Sequence, residues 1–160
     1  MKLSEFVLGL DARMARVLAP LADAVLLVLR LTWGWQFFQT GLGKLQNIDR
    51  VISFFRSLGI PAPGLNAYFV GTLELAGGLL LLVGLFARPV ALLLTGNMLV
   101  AYFAGDRVAL LGVFSNLEAF QRADPFMFLL VSVIVLTFGA GTVSLDRVLR
   151  NVQAADPAPP

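Results

Sequence analysis

The sequence predicts an all-α integral membrane protein, a bundle of four transmembrane helices with short interfacial helices at its ends. Three observations predict it. Hydrophobic residues make up 58% of the 160 residues and charged residues 14%, where a soluble domain carries about 25% charged. Mean hydropathy is +0.84. The apolar residues also gather into stretches near 20 residues long, about what a helix needs to cross a hydrocarbon core roughly 30 Å thick.

The elements follow in order. Residues 1–20 read as an N-terminal amphipathic helix: Leu3, Phe6, Val7, Leu10, Met14 and Val17 recur at helical spacing, with Lys2, Glu5, Arg13 and Arg16 mostly elsewhere. Glu5 and Asp11 interrupt what a signal peptide would keep apolar, so no cleavable signal is expected. Such a helix lies along the membrane surface or caps the bundle from the water. The four-helix transmembrane domain is expected over residues 21–150. Its spans are expected near 22–43, 65–86, 89–108 and 122–141. Glu74 is the only charge in the second, and Pro89 suits the first turn of the third.

The connections are also readable. Asn47 can cap a short interfacial helix over 48–58, which Gly59, Pro61 and Pro63 then end. The link from Phe86 to Pro89 is so short that the second and third spans must be antiparallel neighbours. The half-apolar link over 105–124 is expected at the membrane surface. Ser144 can cap a last short helix through Arg150, and the tail over 151–160 is expected to be disordered.

Four spans put both termini on one side. Lys2, Arg13, Arg16, Arg88, Arg147 and Arg150 share that side, against Lys44, Arg50, Arg56, Arg107 and Arg122 on the other. Six against five, with Arg30 inside the membrane, favours cytoplasmic termini.

The chain has no Cys and no His. That removes disulfides, thiol redox chemistry, His or Cys ligation of zinc and haem, and the commonest general base near neutral pH. No phosphate-binding loop, no Ser/His/Asp set and no metal-ligand spacing occurs. No run of Lys and Arg could track a phosphate backbone, so nucleic acid is not an expected partner.

Ionisable groups inside a membrane are expensive and usually face the bundle interior. Arg30, Glu74 and Asn97 are therefore the candidate site residues. Counting ~1.5 Å per residue puts Arg30 about 12 Å, Glu74 about 16 Å and Asn97 about 12 Å from the side of the termini. Arg30, Gly34, Phe37, Gly41 and Lys44 form one stripe on the first span; Gly71, Glu74, Gly78, Leu81 and Leu85 form another on the second. Glycine on both stripes lets the two backbones approach. Two readings stand together: a structural Arg30–Glu74 ion pair, and a polar pocket for a head group such as a quinone carbonyl or a small anion. Lys44 and Arg88, at helix ends, are read as anchors to lipid head groups.

The same residues carry a resemblance. Arg30-Leu-Thr-Trp-Gly34 and Gly41-Leu-Gly-Lys44 are followed by Phe55, Gly59-Ile-Pro61 and Leu73-Glu74-Leu-Ala-Gly77-Gly78. Gly84-Leu-Phe-Ala-Arg88, Pro125-Phe126 and Gly139-Ala-Gly141-Thr-Val-Ser144-Leu-Asp146 complete the series. In order and spacing this resembles the DoxX family of small bacterial four-helix membrane proteins, over roughly residues 25–150. The resemblance implies a bundle in the bacterial inner (plasma) membrane and a loose link to oxidoreductases. A related small subunit, DoxD, belongs to a thiosulfate:quinone oxidoreductase, and other members partner redox or sulfur-metabolising proteins. Arg30 and Glu74 match charged positions of the family pattern, with no catalytic role attached.

The resulting expectation is a small membrane subunit or anchor of a redox complex, not catalytic alone and without redox centres of its own. Its expected partners are membrane lipids and the proteins of that complex, with quinone as the candidate ligand and no metal or covalent cofactor. Two alternatives stay open. One is a DoxD-like subunit in which Arg30 binds an anionic substrate. The other is a small-solute carrier with Glu74 as its coupling group.

Overall fold

In a computed structural model, residues 3–155 are described, and every regular element among them is a helix. The helices are α1 (Leu3–Gln46), α2 (Ile48–Ser57), α3 (Pro63–Val83), α4 (Ala87–Ala104), α5 (Arg107–Leu111), α6 (Leu117–Arg122), α7 (Pro125–Phe138) and α8 (Leu145–Ala155). Residues Arg16–Gln46 of α1, together with α3 and α4, are long and apolar enough to cross a membrane, and α7 is a shorter apolar helix. α1 packs on α3, α3 on α4, α4 on α7, and α7 returns to α1. The expected four-helix membrane bundle is therefore the fold.

Glycine sets the register of the tightest pair. A Cβ on Gly41 would lie 2.7 Å from the Gly71 carbonyl oxygen, and one on Gly78 would lie 2.6 Å from that of Gly34. No side chain fits there, so α1 and α3 meet backbone to backbone. The core beside this contact is aromatic and aliphatic. Phe37, Leu81, Leu94 and Val135 are fully buried. Phe128 of α7 meets Trp33 and Phe37 edge-on, with ring centroids 5.0 and 4.7 Å apart.

Four boundaries differ from expectation. α1 does not break near residue 20: it runs for 44 residues through Pro20, which costs one backbone bond but does not stop a helix continued on both sides. Asp11, Met14, Val17 and Leu21 on this stretch are exposed. The side chains of Leu3, Phe6, Val7 and Leu10, four of the six residues of the amphipathic stripe read there, lie outside the described ones. α4 stops at Ala104, because Gly105 caps it before Asp106. α8 continues through Ala155, five residues past the expected boundary, and the rest of the tail lies outside the described residues.

The fourth difference explains most. α7 has only 14 residues, about 21 Å of helix, ended by Gly139 at φ 81. Glycine takes that positive φ without strain. The chain then continues through Gly139–Ser144 without helix, and Gly139 and Ala140 are buried. Backbone of that kind inside a membrane needs hydrogen-bond partners from the protein.

Candidate functional site

Arg30 supplies those partners. Its Nη1 donates to the Ala140 carbonyl, its Nη2 to Val143 at 3.0 Å, and its Nε to Leu81 in the last turn of α3 at 3.1 Å. A guanidinium fits the task because its donors form a rigid planar fork. It also sits where the dipole of α3 is negative. The side chain is 1% exposed. Neighbouring carboxylates finish the same knot. Asp23 accepts from the Thr142 amide, and Asp146 accepts from the amides of Phe86 and Ala87 at the start of α4.

Arg30 and Glu74 do not meet, so the expected ion pair between them is corrected. Glu74 accepts from Lys44 through Oε2 and from Asn97 Nδ2 through Oε1 at 3.1 Å. The reason is register. With Gly34 against Gly78 and Gly41 against Gly71, Arg30 falls level with Leu81, about two turns or 10 Å along α3 from Glu74. α1 begins at Leu3 and not near residue 22, and Arg30 lies closer to the side of the termini than a span starting at 22 implies. Asn97 and Glu74 do come together as their depths implied. Lys44 pairs with Glu74 rather than anchoring to lipid head groups, because its place on the Arg30–Gly34–Phe37–Gly41 stripe turns it toward α3.

Lys44, Glu74 and Asn97 line a cavity of about 560 Å³ at the end of the bundle away from the termini. Gln36 and Thr40 add polar lining from α1, and Asn66 adds more from α3. The walls are otherwise largely apolar, with Phe54, Phe55 and Leu58 of the α2 segment, Val70, Met98 and Phe128 among them. Asp106 and Asp124 also line it, and neither makes a side-chain capping bond or an ion pair among the described residues. Glu74 is 3% exposed and Lys44 30%, so the acid is buried and the ammonium reaches the cavity. Lys44 gives one of its three N–H donors to Glu74, and Asn97 gives its amide N–H but keeps its carbonyl oxygen. The pair is neutral overall. Around this neutral pair the cavity offers a donor and an acceptor inside a largely apolar chamber, and the acids Asp106 and Asp124 elsewhere on its lining give it a negative rather than a positive balance.

The sequence profile of the DoxX family matches residues 25–107, a stretch holding Arg30, Lys44, Glu74 and Asn97. The chain belongs to the DoxX family. Among its relatives is a protein of Bacillus subtilis (strain 168) named "Putative oxidoreductase CatD", 32% identical over 75% of this chain and 83% of the relative. Two more are from Escherichia coli (strain K12). "Inner membrane protein YphA" is 27% identical over 77% of this chain and 89% of its own. "Inner membrane protein YqjF" is 30% identical over 82% of this chain and 96% of its own. No solved structure matches the chain. This DoxX protein is a membrane protein whose apolar helix faces contact lipid. The match ends at Arg107, so α7, the Arg30-bound segment after it and α8 lie beyond it.

Proposed function

We propose that this DoxX protein is a small subunit of a redox assembly in the bacterial inner membrane, and that it holds the head group of a quinone-class molecule in the Lys44–Glu74–Asn97 cavity. The observation that carries the reading is the pairing of a neutral polar end with apolar walls in one chamber within the bundle. A quinone has the matching form, a neutral ring with carbonyl acceptors on an apolar tail. Lys44 is placed to donate to a carbonyl and Asn97 to accept from a hydroxyl after reduction. With no Cys and no His, electrons would come from centres on partner chains. The name of the Bacillus relative supports a redox setting, and the names of the Escherichia relatives support the inner membrane. Both termini are placed in the cytoplasm on the charge count.

Charge favours this reading over an anionic substrate. The three carbonyls engage the guanidinium of Arg30, which does not line the cavity, while Asp106 and Asp124 do. The test is purification from native membranes in mild detergent, followed by identification of the extracted lipids and of the accompanying chains. Quinone retained in roughly stoichiometric amount together with a redox partner is expected. A homogeneous preparation carrying neither contradicts the proposal.

A further inference from the structure

The chain uses one amphipathic pattern twice. Ile48-Asp49-Arg50-Val51-Ile52 opens α2, and Leu145-Asp146-Arg147-Val148-Leu149 opens α8. In α2 the apolar face is covered: Ile48, Val51, Ile52 and Phe55 are all half-buried, with α2 packed on α3. In α8 the corresponding face is bare. Leu145, Val148, Leu149 and Val152 are 44%, 54%, 49% and 61% exposed. They recur at steps of three, one and three, a single stripe, and Arg147 and Arg150 fall on the opposite side of the helix.

The height of α8 is fixed. The Asp146 amide donates to the Gly84 carbonyl at 3.0 Å, and its carboxylate accepts from the amides of Phe86 at 2.8 Å and Ala87 at 3.0 Å. Those residues form the turn between two spanning helices, so α8 begins where the membrane ends. Phe86 in that turn is itself 61% exposed, and the exposed Arg88 follows it. An apolar stripe at this height, backed by Arg147 and Arg150 and flanked by Arg88, has the form of an interfacial helix on negatively charged lipid.

We propose that α8 lies in the plane of the leaflet on the side of the termini. Leu145, Val148, Leu149 and Val152 enter the acyl region, and Arg147 and Arg150 meet anionic lipid head groups. This is independent of any ligand in the cavity. It gives the bundle a lipid-charge contact at the end of the segment that Arg30 holds.

The Cys-free sequence allows a direct test on the full chain in lipid nanodiscs. Spin labels are placed singly through Val148→Cys, Val152→Cys and Asn151→Cys, and their collision with oxygen and with a water-soluble nickel chelate is measured. In nanodiscs with phosphatidylglycerol, Val148→Cys and Val152→Cys should favour oxygen at least several-fold over Asn151→Cys. In phosphatidylcholine alone, or with Arg147→Gln and Arg150→Gln together, that preference should fall. Three results overturn the proposal: free access of the chelate to all three sites, which means a helix in water; exclusion of both reagents from Val148→Cys and Val152→Cys, which means a protein partner; and an oxygen preference indifferent to lipid charge.

Discussion

Glu74 is buried to 3% exposure, and its two hydrogen bonds come from Lys44 and Asn97. Removing Lys44 alone strands a carboxylate in a medium that cannot solvate it. Breaking a buried pair costs roughly 3–5 kcal/mol, whereas replacing both partners by apolar residues can be near neutral. Lys44 keeps 30% of its side chain exposed, so the low end of that range applies. Lys44→Met should therefore lower the melting temperature in detergent more than Lys44→Met with Glu74→Leu. Equal losses from the single and the double change would show that the pair is not coupled. Arg30 answers to a different test. Arg30→Leu strands the buried carbonyl of Ala140 at about 1–3 kcal/mol, and it removes one donor each from the part-buried Val143 carbonyl and from that of Leu81, which keeps its bond from the Gly84 amide. Arg30→Lys should restore only part of that, because an ammonium does not reproduce the fork. A fully stable Arg30→Lys, by thermal unfolding, would contradict the assignment of Arg30 to the backbone it holds. Both residues stood out in the sequence as buried charges. Asn97, one partner of Glu74, stood out with them, but the partners of Arg30 did not, because they are backbone carbonyls, which leave no mark in a list of side chains.

Between α1 and α3 the controlling quantity is backbone distance. Gly41→Ala must push the helices apart, since its Cβ would lie 2.7 Å from the Gly71 oxygen and closer still to the Leu75 nitrogen. Overpacking of this kind typically costs about 1–3 kcal/mol. Gly96→Ala in α4 meets nothing within 4 Å and should be neutral, or stabilising by up to about 1 kcal/mol from helix propensity. Comparable melting temperatures for the two variants would contradict the proposed register. The glycine stripes were legible before any coordinates, and so were the four spans and α2, because hydropathy and period depend on sequence alone. The continuity of α1 through Pro20 and the early end of α7 at Gly139 were not. Local rules put a break at the first, and the non-helical run after the second is tolerable only because Arg30, more than a hundred residues away, satisfies its carbonyls.

At the scale of the whole molecule the two ends of the bundle differ in kind. The end near the termini is closed by Arg30, Asp23 and Asp146 on backbone groups. The far end holds the cavity, with Lys44, Glu74 and Asn97 among its lining. Closure at one end and an accessible chamber at the other fit the proposed quinone-holding subunit. The Lys44→Met, Glu74→Leu pair of changes separates binding from stability, since it removes both members of the ion pair together, with side chains of similar size in their place, and leaves Asn97. The most direct measurement is equilibrium binding of a short-tailed quinone to the wild-type chain and to this double variant in nanodiscs of the same lipid. Saturable one-to-one binding by the wild type, weakened at least tenfold in a double variant of near-normal melting temperature, is the predicted result. Equal binding by the two, or binding to the wild type no greater than to empty nanodiscs, would contradict the account.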